Sequence, residues 1–405
     1  MPALERPIYL DHNATTPLLP EVVDAMLPYL RDDFGNPSSS HPWGRRARAA
    51  VDAARASVAA LIHAEVDEIL FTSGGTEANN LAIRGAAAAA VRRRQLITTD
   101  IEHPATANPC RYLEREGWRV DWIGVDARCR VRLDDLGSRI GEDTVLVTVI
   151  HANNETGTVQ AVSEVAALAR HRGALVHTDA AQSAGKIPVD VGALGVDLLT
   201  IAGHKLNAPK GVGALYVRRG TPIEPFTRGA GHERGLRPGT ENVASIVGLG
   251  VACEIASATL ASRTRHLRDM SDRLWALLEG GVEGLKRNGH DTERLPNTLS
   301  VRFPGVRGTV LLDAAPEIAA STGSACHEGH ESASNVILAT GLSSEAALET
   351  VRLSVGVTTT VEEIDRAGAA LVRAWSSTSR TGGARPGQGE VAPARQQHDR
   401  SPHRR

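Results

Sequence analysis

Apolar residues recur at helical spacing in two early stretches, PEVVDAMLPYLRDDFG and GRRARAAVDAARASVAALIHA, which predict helices behind a short N-terminal arm. The segment EILFTSGGTEANNLAIRGAAAAA then reads as a strand, a glycine-containing turn and a helix. From about Arg94 to Arg219 the pattern alternates. QLITTDIEH, RVDWIGV, TVLVTVIHA, ALVHTDA, VDLLTIAG and GALYVRR are strand-like, with helices expected from Ala105 to Glu116 and from Ser163 to His171. Such alternation implies an α/β unit with a mostly parallel sheet, helices on both faces, and ligand chemistry at the carboxyl ends of strands.

A long helix is expected from about Ala244 to Gly280, carrying the chain out of this unit. TLSVRFPGV, a helix from Thr309 to Ala314, EIAAS, ETVRLSVG and a last helix from Val361 to about Trp375 suggest a smaller α+β domain. From Ser376 the composition turns to Ser, Gly, Pro, Gln and Arg without apolar period, which predicts a disordered tail. The expected division is an arm (1–14) joining the small domain, a large domain (15–258), a small domain (259–375) and the tail (376–405).

Composition narrows the function classes. A chain of 405 residues is long enough for two packed lobes. A net charge of −2 with 23% charged residues gives no reason for direct nucleic-acid binding. The N-terminus lacks the apolar core of a secretory signal and no run of 18 apolar residues occurs, so a cytoplasmic chain without a membrane span is expected. Cys110, Cys129, Cys253 and Cys326 form no CxxC pair, so neither a disulfide framework nor a structural metal is expected. Cys326, His327 and His330 cluster, but lack a fourth ligand.

Candidate chemistry lies at the strand ends. VLVTVIHA leads to Asn153, Asn154 and Glu155, ALVHT to Asp179 and Gln182, and VDLLTIAG to His204 and Lys205. An acid, an amide and a lysine on one sheet edge suit pyridoxal phosphate: the amine forms a Schiff base with the cofactor aldehyde, and a carboxylate keeps the pyridine nitrogen protonated. Lys205 alone would read as a surface lysine; beside HTDAAQ it reads as a desolvated nucleophile and base. Asp179 is placed under the ring nitrogen and Gln182 at the phenolic oxygen, although Asp-x-x-Gln is also a capping box for a following helix. Asn154 is a second donor to the ring oxygen or substrate carboxylate, or a plain turn residue.

In SGGTEANN, backbone N–H groups and the helix dipole would form a phosphate cradle at Gly75 and Thr76. His103 in IEHPA is a candidate to stack on the ring and shuttle a proton, or a structural histidine. Cys326 sits in the polar stretch STGSACHEGHES and is a candidate nucleophile; the other cysteines read as core filler. Arg352 in TVRLSVG, expected to face the cleft, matches a carboxylate with parallel hydrogen bonds.

Taken in order, LDHNATTP, FTSGGTEANNLAI, IEHPA, ANNETG, HTDAAQSAGK, GHKLNAPKG, GHERGLRPGTEN, STGSACHEG and VRLSVG resemble the cysteine desulfurases of the class V aminotransferase family, from about residue 8 to 370. The resemblance implies a fold-type I pyridoxal-phosphate enzyme, a homodimer with active sites at the interface. It implies Lys205 as the Schiff-base lysine, Asp179 as the ring-nitrogen partner, His103 as the stacking histidine, and Asn154 and Gln182 at the ring oxygen. Gly75, Thr76 and His204 would hold phosphate, Arg352 the substrate carboxylate, and Cys326 the sulfur. Thr240 would reach the other subunit's phosphate, its simpler role being an N-cap for the following helix.

One position departs from the family. Many members carry a serine two residues before the histidine of the S-x-H-K motif, and here that residue is Ala202, which should weaken cofactor binding by about 1 kcal/mol. The Cys326 loop is similar to the longer, flexible kind that hands sulfur to scaffold proteins, and its ACH sequence is similar to selenocysteine lyases and desulfurases serving DNA phosphorothioation. The implied reaction takes L-cysteine to L-alanine, with a persulfide on Cys326 passed to an iron–sulfur scaffold, a thiolation enzyme or a DNA-modification protein. The alternatives are a selenocysteine lyase, an aminotransferase that ignores Cys326, and a noncatalytic scaffold for an acceptor.

Overall fold

The computed structural model describes the backbone of residues 6–323, 325–327 and 330–381, and their side chains other than those of 325–327, 330, 331, 380 and 381. Seven strands form one sheet in the order Ile69–Thr72, Gly213–Val217, Leu198–Ala202, Leu175–Asp179, Thr144–Thr148, Gln95–Thr99, Arg119–Ile123. The last five run parallel. Gly213–Val217 is antiparallel to both of its neighbours.

Neighbouring residues on a strand point to opposite faces, and both faces here are apolar. Leu96, Leu146 and Leu198 enter one core with Leu81, Ile83 and Leu215. Ile97, Val147 and Leu199 enter the other with Val51, Val58, Ile246 and Leu249. Each such buried side chain contributes roughly 1.5–3 kcal/mol against exposure, so both faces must be covered. This double covering confirms the mostly parallel sheet sandwiched by helices that the sequence predicts.

A second, antiparallel sheet has the order Ser321–Thr322, Thr350–Ser354, Thr298–Arg302, Lys286–Asn288. Leu299, Val301 and Leu353 from it pack with Ile364 and Leu371. The helix Val243–Gly281 serves both cores, placing Ile246, Leu249 and Cys253 in the first and Leu267, Leu274 and Leu278 in the second. Its most apolar window reaches a mean hydropathy of 1.8, enough by length and composition to cross a membrane, but 56% of that window is buried in the fold. Packing consumes its apolar faces.

The arm lies along the smaller sheet. Ile8–Tyr9 pairs in parallel with Ile318–Ala319, and Asp11 bridges to Ser354. It then crosses to the larger sheet, where the Thr16 hydroxyl donates to the His204 carbonyl at 2.9 Å.

Two local expectations change, and a helix that the sequence pattern did not single out forms at Leu133–Arg139. No helix follows Asp179, so Asp-x-x-Gln is not a capping box; Asp179 Oδ1 instead accepts from the Ala181 N–H at 2.9 Å in a turn. The last helix is Val361–Thr381, so residues 376–381, assigned to the tail, are helical. Ser377 and Thr378 hydroxyls donate back to the Ala374 carbonyl at 2.9 and 2.8 Å, and Trp375 Nε1 is tied to the Pro304 carbonyl at 3.1 Å. The rest of the predicted disordered tail lies outside the described residues.

Candidate active site

Parallel strands end on the same edge, so the polar residues that follow them converge. Leu198–Ala202 passes into a single turn, Gly203–Lys205, that lifts Lys205 off the sheet. The adjacent strand ends at Asp179. A cleft of ≈ 380 Å³ at this edge is lined by Gly75, Thr76, His103, Asn154, Asp179, Gln182, His204, Lys205 and Arg352. Arg352 comes from the smaller sheet, so the cleft lies between the two sheets.

Two expected residues stand apart. Thr240 is exposed and does not line this chain's cleft, and the helix after it is capped by Asn242, whose Oδ1 accepts from the Ser245 N–H at 3.3 Å. Ala325–His327 pairs with His330–Ser332 as a short hairpin, and the side chains of Cys326, His327 and His330 lie outside the described residues. Among the described residues no cluster suits a metal ion.

Asp179 is pinned from two sides. Its Oδ2 accepts from Asn79 Nδ2 at 2.7 Å, opposite the turn bond to Oδ1. Asn79 belongs to the helix Gly75–Ala89, whose start has no side-chain cap and leaves its first N–H groups for an anion. A Cβ added at Gly75 would stand 3.2 Å from the Ala202 Cβ, so glycine keeps this end open.

Burial dominates the electrostatics. Desolvation, then the Arg352 charge, lowers the Lys205 pKa to about 8. Its ammonium donates to the carbonyls of Asn13 and, at 2.8 Å, Ala14. Desolvation and the Lys205 charge lower His204 to about 4, leaving a neutral imidazole 3.3 Å from the Thr15 hydroxyl. His103 is also lowered by burial. Its Nδ1 accepts from the Ala105 N–H at 3.1 Å and caps the helix Pro104–Arg115, so Nε2 carries the proton of the neutral ring. Capping and cleft-lining coexist in this residue.

Arg352 donates to Asp11 at 2.7 Å and to the Asn154 carbonyl at 3.2 Å, while its buried Nε has no partner among the described residues. Gln182 donates through Nε2 to the Asn13 carbonyl at 2.9 Å and accepts from Lys186 Nζ at 3.0 Å. Asp11, Asn13, Asn79 and Lys186 thus join the site beyond the residues read from sequence. Their signal was present in LDHNATTP, in the paired asparagines of SGGTEANN and in the lysine closing HTDAAQSAGK.

A larger groove of ≈ 590 Å³, bordered by Arg48, Arg55, Glu233, Arg234 and Glu241, contains no lysine or cysteine. Arg55 and Glu233 fill part of it with two 2.7 Å bonds.

Residues 8–367 match the family described as aminotransferase class-V. The chain belongs to the class V aminotransferase family. Among its relatives in this family is the cysteine desulfurase of Trichormus azollae, 45% identical over 361 residues that cover 89% of this chain and 90% of that one. A NifS-like protein superposes with a TM-score of 0.85 at 36% identity, covering 92% of this chain and all of that one. SspA, solved in complex with cysteine, superposes at 0.77 with 35% identity over 87% of this chain and 99% of that one.

The class V site fits pyridoxal phosphate by its donor set. Among the described residues the buried Asn79 Oδ1 and Arg352 Nε have no partner, an uncapped helix start faces the cleft, and a partly neutral lysine stands beside a pinned carboxylate. Lys205 would hold the aldehyde carbon, Asp179 the pyridine nitrogen, and Gly75, Thr76 and His204 the phosphate.

Proposed function

We propose that this chain is a pyridoxal-phosphate-dependent cysteine desulfurase, converting L-cysteine to L-alanine and passing the sulfur through a persulfide on Cys326. The supporting observation is the meeting of Lys205 and Asp179 on the larger sheet with Arg352 from the smaller one, across a single cleft. Pyridoxal phosphate supplies an electron sink for charge developing at the substrate α-carbon.

Arg352 receives the substrate carboxylate, its free Nε supplying a donor in addition to those held by Asp11 and Asn154. Lys205, with a pKa near 8, is poised to take the α-proton near neutral pH. His103 presents Nε2–H to the cleft, its orientation fixed by the helix cap. Gln182 and Asn154 serve the ring oxygen. The Cys326 thiolate attacks the substrate sulfur: an S–S bond forms, the substrate C–S bond breaks, and its electron pair stays with the carbon skeleton, which gains protons to become alanine. No external oxidant or reductant is needed.

A homodimer is part of this reading, with the exposed Thr240 directed to the partner's phosphate site. Arg55–Glu233 and Arg237–Glu77, the latter at 2.9 Å, tether the segment around Thr240. The acceptor is a sulfur-receiving protein of a cluster-assembly, thiolation or DNA-modification system.

Intact-mass measurement after incubation with cysteine and no reductant tests the proposal. A gain of one sulfur, absent in Cys326→Ser, is expected; no gain, or a gain retained in Cys326→Ser, overturns it.

A further inference from the structure

Lys186 is buried at 5% exposure and has no assigned role. It follows Gly185, where φ is +71° and an added Cβ would meet Leu206 Cδ1 at 2.1 Å, so the chain turns there only with glycine. That turn sends the amine inward. Its Nζ donates to Gln182 Oε1 at 3.0 Å, and the charges acting on it come from Lys205, Arg263 and Arg352, all cations.

An isolated buried ammonium among cations is unfavourable for stability, so its placement asks for another explanation. The bond to Gln182 provides one. A primary amide has two ends that are close in shape but opposite in polarity, and only its surroundings fix which faces where. As an ammonium, its state below about pH 7, the Lys186 amine only donates, and as the neutral amine above that pH it still offers N–H groups to the amide oxygen 3.0 Å away. The Asn13 carbonyl only accepts, so it demands the amide nitrogen, which it receives at 2.9 Å.

Asn13 is itself fixed. Its side chain donates to Thr298 Oγ1 at 2.8 Å and accepts from Asn297 Nδ2 at 3.0 Å. One N–H of Gln182 is therefore spent on Asn13, and the other remains on a residue that lines the cleft. A flipped amide would present its oxygen, which repels an anionic ring oxygen.

Resting on the assignment of the cleft to pyridoxal phosphate, we propose that Lys186 is a positioning residue that holds Gln182 in the one orientation that offers a hydrogen-bond donor to the cofactor. It does not line the cleft, and its hydrogen bond to the amide is the contact through which it acts. Lys186→Met keeps the length of the side chain and removes its donors.

The test is a double-mutant cycle on the holoenzyme, read by equilibrium binding of pyridoxal phosphate and by visible absorbance. Lys186→Met is expected to raise the cofactor Kd about fivefold and to shift the absorbance band. Gln182→Leu should do at least as much. In the Gln182→Leu background, Lys186→Met should then have no further effect on either readout.

Additive effects would overturn the proposal, as would an unchanged Kd in a folded Lys186→Met variant. Thermal unfolding reports folding, and should Lys186→Met fail to fold, Lys186→Leu, which also lacks donors, enters the same cycle. Borohydride trapping on wild type checks the underlying assignment separately: attachment away from Lys205 refutes the cofactor site, whereas additivity with Lys205 labelled refutes only the role of Lys186.

Discussion

Asp11 and Arg352, 341 residues apart in the chain, meet at 2.7 Å at the rim of the Lys205 cleft. The side chains are 18% and 11% exposed, so this pair is shielded from water and orients the guanidinium more firmly than a surface ion pair. On the proposed function the arm therefore takes part in holding the substrate carboxylate, through Arg352. Asp11→Asn keeps the shape and removes the charge. The KM for cysteine should rise about tenfold, with cofactor Kd changed by less than about twofold. Steady-state kinetics beside cofactor titration checks this, and an equal loss in both would point to general disorder of the arm.

Asn79 holds the oxygen of Asp179 that the turn leaves free. Asn79→Ala leaves the carboxylate in place without its second tether. The expected result is a fall in kcat of about tenfold with KM for cysteine nearly unchanged, from loss of a charge-assisted hydrogen bond. Single-turnover kinetics on the cofactor-loaded variant separates this from slower product release.

Lys186 gives stability a defined pH dependence. Burial lowers its folded-state pKa to about 7 from 10.5. Between those values the unfolded chain binds a proton that the folded chain does not, so this lysine makes stability rise with pH across that window. Below about pH 7 the folded protein carries the full cost of the buried charge. Lys186→Met removes that cost, so its Tm in the cofactor-free state should exceed that of wild type by a few degrees at about pH 6, the margin shrinking toward about pH 10. Calorimetry on both proteins reads the margin directly, and a margin independent of pH would contradict the charged-lysine account.

Thiol labelling distinguishes the cysteines. Cys110, Cys129 and Cys253 are buried, and desolvation pushes each thiol up to about 12. Little thiolate forms at such sites near neutral pH, and the reagent has no access. Iodoacetamide on the native protein should label Cys326 alone, with the other three reacting only after unfolding. Peptide mass mapping scores each position.

Much of the site was legible because a strand end imposes order on sequence. Asp179 ends a strand and His204 and Lys205 follow one, and parallel strands bring such ends together. Gly75 and Thr76 were legible from a glycine turn before a helix. Asp-x-x-Gln was legible only as two polar residues: the same spacing suits a helix cap or a turn, and the chain beyond Asp179 turns instead at Gly185. Thr240 was offered as a cap, but the adjacent Glu241 is buried and Asn242 takes the capping position.

By itself the sequence determined the larger sheet and its covering helices, because period-two and helical spacing are local consequences of backbone geometry. It also fixed which residue types could supply the amine, the acid and the thiol. Only the tertiary structure decided that Asp11 faces Arg352, that Asn79 pins Asp179, and that Lys186 orients Gln182. These relationships join segments from different strands, turns and sheets, or turn a side chain inward against its own charge. Their directions arise from contacts between segments distant in sequence or from a turn that only glycine allows, which no local period encodes.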